Sequence, residues 1–402
     1  MGRIGIYGGT FNPPHMGHVE GARQAIVLLK LDKLLLIPDR EPPHKELPPD
    51  APTPQQRLEL VRMMAQELPQ AEACDIELHR QGPSYTSDTL EALHKVYRHD
   101  KLYLLMGTDM FLAFPQWHET EKICRYATLA VLLREQRDQK EWMYLQEQAQ
   151  YVRKKLNGKV KFLKNNILPM SSTNVRRMLT FRAPEGMIPG PVLNQIRELG
   201  LYGMNRDLRG LSMDELERIV TELLDPKRVP HVLGCRDTAV YLAKKYGVDP
   251  VDAARAGLLH DITKALPPEL QSKICIDYEA PVQRYVNENP KTLHAITGAL
   301  VAERIFGENE AVCRSVESHT TGCAEMDTLQ KIIYIADYME PNRDFPGVEH
   351  LRKLAEKDLD RAVLTGIEMT VELLRQQGRQ VSHNSLAAIE WLKNTVCDSA
   401  MR

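Results

Sequence analysis

Apolar and polar positions follow two different rhythms along this chain, and the change falls near its middle. In the first half, short apolar runs recur between stretches of helical spacing. Residues 3–7, 33–38, 102–106 and 127–133 are brief and almost wholly apolar, as expected of strands buried on both faces. Residues 74–79 alternate, which predicts one more strand. Between them, Val19, Ala22, Ile26 and Leu29 recur at helical spacing after His15. Thr53-Pro54-Gln55-Gln56 reads as an N-cap, a first-turn proline and a capping box for a helix to about Leu68. Further helices are expected up to Tyr97, from Met170, and over 191–199, and the charged stretch 135–164 is expected to be mostly helical. Strands alternating with helices predict a doubly wound parallel sheet.

Beyond a linker at 205–211 the strand pattern stops. Ser212 and Glu215 form a capping box. Helical patterns then follow one another over 213–224, 236–246, 250–264, 281–287, 292–306, 309–318 and 328–338, with at least two more after Val348. Asp249-Pro250 is an N-cap followed by a first-turn proline. The fold class is therefore α/β plus all-α, with a doubly wound α/β domain over 1–204 and an all-helical one over 205–402.

Length agrees with this division, because 402 residues exceed one ordinary core. The composition, 43% hydrophobic and 26% charged, is that of a globular protein, and the net charge of −2 argues against a dedicated nucleic-acid binder. The seven cysteines are scattered and odd in number, without a C-x-x-C pair, so reduced thiols are expected rather than a disulfide framework or a zinc ribbon. No apolar run approaches the roughly 20 residues of a membrane span. A cytoplasmic protein is expected, with neither nucleic acid nor membrane as partner, and a homo-oligomer is compatible with everything above.

The densest chemistry lies in the first eighteen residues. A strand leads into Gly8-Gly9, where the backbone is expected to turn sharply and approach a ligand, and then through Thr10, Phe11, Asn12 and two prolines to His15-Met16-Gly17-His18 at the start of a helix. Unpaired N–H groups and the positive end of the dipole make such a helix start an anion site. His15 and His18 sit where a phosphate would lie, and Gly17 between them suggests close ligand approach. Met170-Ser171-Ser172-Thr173-Asn174-Val175-Arg176 is a second candidate clamp, with hydroxyls and a guanidinium on a helix N-terminus. Asp109 follows the strand at 102–106, where ligands bind in open α/β sheets.

The stretch G-G-T-F-N-P-P-H-M-G-H resembles the signature of the nucleotidyltransferase superfamily, and more narrowly of the bacterial nicotinate-nucleotide adenylyltransferases. Ser171 to Arg176 is similar to that family's S-S-T-x-I-R element, and Ser84-Tyr85-Thr86 and Gln116-Trp117-His118 to its elements beside the pyridine ring. The resemblance covers about the first 200 residues. It implies a Rossmann-like fold and adenylyl transfer from ATP, with Mg²⁺, to nicotinate mononucleotide. Gly8, Gly9, Thr10, Phe11, Ser172, Thr173 and Arg176 would bind ATP, and His15 and His18 would stabilise developing charge. Lys45, with His44, Thr86, Asp109, Trp117 and Arg134 would meet the substrates. A related transferase acting on pantetheine phosphate or another nucleotide is the nearest rival, and the S-Y-T and Q-W-H elements argue against it.

In the second half His231, His260-Asp261, His294, His319 and Asp337 are spread over separate helices. A charged pair ending the apolar run 256–259 is costly to bury unless paired or metal-bound. Six imidazole and carboxylate ligands suit two ions of Fe, Mn or a similar metal. The order H…HD…H…H…D resembles the HD-domain phosphohydrolases. Residues 258–264, 319–322 and 331–343 are similar to the bacterial HD hydrolases that cut diadenosine tetraphosphate symmetrically into two ADP. That resemblance implies a di-iron-type site, a catalytic role for Asp261 as well as a ligand role, and phosphate contacts from Lys264 and Arg343. A different nucleotide phosphohydrolase, or a non-catalytic module that binds nucleotides and regulates the transferase, stands as the alternative.

Overall fold

The computed structural model describes residues 1–44, 46–48, 50–133, 139–164, 170–280 and 290–400. The chain divides into two compact units, Met1–Arg206 and Asp207–Arg402. The first unit runs β1 Arg3–Gly9, α1 Met16–Leu29, β2 Lys33–Pro38, α2 Pro54–Ala65, β3 Ala71–Ala73, α3 Thr86–Val96, β4 Lys101–Gly107, α4 Thr108–Ala113, α5 Thr120–Tyr126, β5 Ala127–Leu132, α6 Gln139–Lys155, β6 Lys159–Leu163, α7 Ser172–Thr180 and α8 Gly190–Glu198. Its strands form one sheet in the order β3-β2-β1-β4-β5-β6, parallel at every pairing. The winding reverses between β1 and β4, so the crevice beyond their C-terminal ends is the topological switch point at which such sheets bind ligands. β2 presents Leu34 to Ile37 as a continuous buried run, because both faces of the sheet are covered.

Two sequence expectations fail at the sheet edges. The alternating residues 74–79 are not a strand. Cys74 donates one bond to Leu36 O at 2.9 Å, and the chain then turns, with Leu78 N bonding Asp75 O at 2.9 Å. Asp75 opens that turn, a position its residue type favours. The charged stretch 135–164 holds not only α6 but also β6, whose lysines alternate with Val160 and Phe162. Charges along an edge strand block pairing with another chain, and the same charges mask its strand pattern.

The second unit runs α9 Met213–Leu223, α10 Val229–Tyr246, α11 Pro250–Leu259, α12 Pro268–Asp277, α13 Leu293–Val301, α14 Glu310–Ser318, α15 Thr328–Met339, α16 Val348–Ala355, α17 Leu359–Gln376 and α18 His383–Ala400. The capping boxes at Thr53/Gln56 and Ser212/Glu215 form as their sequences indicate. Two boundaries and one element differ from expectation. α10 begins seven residues earlier than the pattern at 236, so His231 lies on it. α11 stops at Leu259, so His260 and Asp261 lie in the turn after the helix rather than on it. α12 was not expected, and the helix expected over 281–287 lies outside the described residues. α10 crosses α11 closely at Gly257, where an added Cβ would meet Arg236 Cα at 2.8 Å. That crossing brings the start of α10 to the end of α11.

Candidate active sites

In the first unit a cavity of about 350 Å³ opens at the C-terminal ends of β1, β2 and β4. Gly8, Gly9, Thr10, Thr86 and Trp117 line it, together with His44. Gly8 and Gly9 are the last residues of β1 and are not the turn. The turn is made by Phe11, at φ +48°, and by a cis Asn12-Pro13 bond. Open space lies where a Gly8 Cβ would stand, so the backbone is bare toward the crevice there. Gly17 serves packing and not a ligand: its missing Cβ is covered by the His15 ring at 3.1 Å and by Met170 Cβ at 3.2 Å.

His15 is the N-cap of α1 and is buried. Its ring stacks on His18 with centroids 3.7 Å apart, and Phe11 lies 4.9 Å from His18. His18 Nδ1 accepts the His15 backbone N–H at 3.2 Å, which leaves the proton of a neutral His18 on Nε2. Burial pushes His15 down to about 3, so it is neutral at physiological pH, and its Nδ1 is buried without a partner. The second clamp meets this loop directly. Arg176 donates to Asn12 O at 2.7 Å and to Thr173 Oγ1 at 3.3 Å, and Ser172 Oγ donates to Pro13 O at 3.2 Å. Two segments about 160 positions apart thus form one rim. Asp109 is exposed in the first turn of α4, and Lys45 and Arg134 lie outside the described residues. A larger hollow of about 520 Å³ between α4 and α6 gathers Leu112, Tyr144 and Tyr151 with a single carboxylate, Glu147, and offers no comparable chemistry.

Three side chains of this site were not anticipated. Arg57 has no exposed surface; it donates to Thr10 O at 2.8 Å and pairs with Asp39 Oδ1 at 2.9 Å, while Thr10 Oγ1 donates to Asp39 Oδ2 at 2.9 Å. This buried pair fixes the loop at Thr10 from behind. Glu77 lines the cavity, accepts from Thr89 Oγ1 at 2.6 Å, and is pushed by burial up to about 7.

In the second unit the six expected ligands converge. His231 Nε2 lies 3.3 Å from His260 Nε2, 3.7 Å from Asp261 Oδ2 and 3.1 Å from Asp337 Oδ1. His294 Nε2 lies 3.2 Å from His319 Nε2 and 3.3 Å from Asp261 Oδ1. Asp261 is shared, one oxygen facing each histidine pair, and two triads result: His231-His260-Asp261 and Asp261-His294-His319. The opposite nitrogens explain why the Nε2 atoms are available. His260 Nδ1 bonds Gly257 O at 2.7 Å, His319 Nδ1 bonds Val316 O at 2.6 Å, His294 Nδ1 bonds Lys291 O at 2.8 Å, and His231 Nδ1 bonds Glu340 Oε1 at 3.1 Å. Each acceptor fixes the proton on Nδ1 and leaves the Nε2 lone pair facing inward, the usual outer shell of a metal ligand. Four imidazoles and two carboxylates on one point fit two divalent transition-metal ions.

The carboxylates and His294 carry charges that agree with that fit, whereas against the effect of burial Cys235 and Asp261 hold His260 above the ordinary imidazole range. Burial alone would raise the Asp261 carboxyl, but His260, His319 and Lys264 hold it well below the usual carboxylate range. Burial likewise opposes the ionisation of Asp337, and His231, His260 and Arg343 override it. Burial, with His319 and Lys264 beside it, keeps His294 neutral. Lys264 and Arg343 both reach the site, Lys264 at 2.9 Å from His294 Nε2 and Arg343 at 2.6 Å from Asp337 Oδ1. Arg228, not anticipated, pairs with Asp261 Oδ2.

A cytidylyltransferase-like family model matches residues 6–178, and an HD-domain model matches residues 228–342. A probable nicotinate-nucleotide adenylyltransferase of Pseudomonas syringae is 36% identical over 209 residues, which are 50% of this chain and 93% of the relative. A symmetrical bis(5'-nucleosyl)-tetraphosphatase of Bacillus subtilis is 34% identical over 183 residues, which are 45% of this chain and 98% of the relative. The chain belongs to both families, one in each half. Both occur in one polypeptide in a Mycoplasma pneumoniae relative described as a probable nicotinate-nucleotide adenylyltransferase/Ap4A hydrolase, 28% identical over 369 residues, 89% of this chain and 96% of the relative.

Within the tetraphosphatase-family half, Glu340 was also missed as a site residue. It is buried beneath His231, and Gly234 leaves the space it occupies. It stands three positions after Asp337, so a carboxylate one helical turn past a ligand was the available signal. Among the described residues no helix is long and apolar enough to cross a membrane.

Proposed function

We propose that the chain is a bifunctional enzyme, with a nucleotidyltransferase domain over 1–204 and a metal-dependent phosphohydrolase domain over 205–402. The first joins nicotinate mononucleotide to ATP, giving deamido-NAD and pyrophosphate. The junction of the two candidate phosphate clamps through Arg176 and Asn12, two positions after the Thr10 that lines the cavity with Trp117, carries this reading. ATP enters as its magnesium complex. A phosphate oxygen of the mononucleotide forms a bond to the α-phosphorus, and the bond from that phosphorus to the β-bridging oxygen breaks. No side-chain nucleophile takes part; positioning and charge stabilisation suffice. His18 Nε2–H donates to the α-phosphate, His15 acts as a neutral partner, and Ser172, Thr173 and Arg176 hold the leaving phosphates. The bare backbone at Gly8 admits the nucleotide, Gly9 packs against the Phe11 ring, and Thr10 and Phe11 shape the loop. Trp117 offers a flat face to the pyridine ring, and Thr86 lies beside it. The test is turnover with nicotinate and nicotinamide mononucleotide in parallel. Preference for the nicotinate form supports the reading, and turnover of neither overturns it.

The second domain hydrolyses the central phosphoanhydride bond of diadenosine tetraphosphate, with water entering and two ADP leaving. The four inward Nε2 atoms around a shared Asp261 carry this reading. Iron or manganese fits the donor set, and when bound supplies Lewis-acid activation of phosphate and of water. His231, His260, Asp261, His294, His319 and Asp337 would hold the ions. Arg228, Lys264 and Arg343 would neutralise and orient the polyphosphate. Hydrolysis of diadenosine tetraphosphate in ¹⁸O-water tests it: label on ADP alone supports symmetric cleavage, whereas labelled AMP or ATP overturns it.

A further inference from the structure

After α8 the chain makes a short turn, Leu201–Gly203, that packs on α7 and α8. Tyr202 stands inside that turn at φ +57° and ψ +30°, in the left-handed region, between Gly200 and Gly203, which share that sign of φ. Glycine takes this conformation freely, whereas a bulky side chain is strained there. Tyr202 is also buried, 9% exposed, and its hydroxyl has no hydrogen-bond partner among the described residues. A backbone outlier and a buried, unpaired hydroxyl each lower stability, and phenylalanine at this position would be spared the second. Two such costs in one residue point to a use.

The charged groups around the phenol indicate which. Arg176 acts on it most strongly, followed by Arg57 and then Asp50. Both arginines grip the loop after β1, Arg57 through Thr10 O at 2.8 Å and Arg176 through Asn12 O at 2.7 Å. Burial pushes the phenol above its ordinary value, against the pull of both cations, so it keeps its proton and can accept as well as donate. Arg176 spends one terminal nitrogen on Asn12 O and the other on Thr173 Oγ1 at 3.3 Å. A guanidinium carries five N–H groups in one rigid plane, so the groups at its rim decide where the remaining N–H groups point. Asn12 Oδ1, on the same loop, is a second buried polar atom without a partner. Tyr202 does not line the cavity that holds Trp117 and Thr86.

We propose that Tyr202 is a positioning residue for the adenylyl transfer: its hydroxyl backs Arg176 and holds that guanidinium toward the pyrophosphate that leaves. This rests on the transferase reading above. The effect is selective, because the hydroxyl bears on the group that holds the β and γ phosphates and not on the pyridine end of the site.

The test compares full-length wild type and Tyr202→Phe in steady-state kinetics run in both directions, with thermal melts alongside. The variant keeps the ring and is expected to melt no lower than the wild type, since it loses only an unpaired hydroxyl. The KM for MgATP in the forward direction and for pyrophosphate in the reverse should each rise by about 10–100-fold, what one hydrogen bond to a charged group is worth. The KM for nicotinate mononucleotide should not change. In an Arg176→Met background the same substitution should add nothing further. Kinetics indistinguishable from wild type overturn the inference. So does a lower melting temperature with an equal loss against every substrate, the mark of a purely structural role. An undiminished further loss in the Arg176→Met background overturns the route through Arg176. A folded wild type that transfers no adenylyl group overturns the transferase reading itself, and this inference with it.

Discussion

Burial gives Glu77 a proton affinity that a solvated carboxylate lacks. Its folded value of about 7 lies above the 4.5 of the free group. Between those values the folded state binds more protons than the unfolded one, so stability falls as pH rises through that window. The contribution is complete below about 4.5 and lost above 7. Glu77→Gln removes it, and the stability of wild type minus variant should fall by up to about 3 kcal/mol from pH 4.5 to 8, from 1.36 kcal/mol per pKa unit. Thermal melts across that range check it; a difference that does not change with pH contradicts it. Arg57 makes a different case. Arg57→Met leaves Asp39 buried without its cation, and a loss of about 3–5 kcal/mol is expected in denaturant unfolding. The reason these residues escaped sequence reading is the same for both. The histidines and the Ser171–Arg176 segment lie in contiguous motifs, so their chemistry is visible locally. Arg57 meets Thr10 across 47 positions, Arg228 meets Asp261 across 33, and Glu340 meets His231 across 109. Only the fold creates those pairs.

Elements carry the geometry of the second site through their glycines. Gly257 allows α10 and α11 to touch backbone to backbone, and Gly234 leaves room for Glu340. Gly257→Ala forces the helices apart and should cost about 1–3 kcal/mol, as overpacking does. Gly234→Ala should displace Glu340 and so release His231, weakening metal uptake while the fold persists. Mn²⁺ binding measured beside thermal melts separates the two effects. Most elements were legible because buried parallel strands and capped helices have strong local patterns. β6 was hidden by its edge lysines, and the alternation at 74–79 is not an alternation of burial: the chain turns there, and Glu77 is its buried residue. The apolar run 256–259 was read through into His260 and Asp261, since nothing in its pattern marks the end of α11. Yet that end is what frees the pair to turn into the cluster.

At the scale of the whole molecule, each unit contains a complete set of groups for its proposed reaction. The His15/His18 rim and the six-ligand cluster belong to different compact units and share no residue. The account therefore predicts separable activities. His18→Ala should lower adenylyl transfer by about 10²–10³-fold, the usual cost of one donor to a developing oxyanion. Chelation of Mn²⁺ or Fe²⁺ from the second unit, with MgATP then supplied, should leave that transfer intact. The most direct measurement runs both reactions on three full-length proteins: wild type, His18→Ala and Asp261→Asn. The substrates are MgATP with nicotinate mononucleotide, and metal-loaded diadenosine tetraphosphate, with products separated by chromatography. The account predicts that wild type forms deamido-NAD and two ADP, that His18→Ala loses only the first product, and that Asp261→Asn loses only the second. Loss of both reactions from either substitution in a folded protein, or retention of tetraphosphate cleavage in Asp261→Asn, would contradict it.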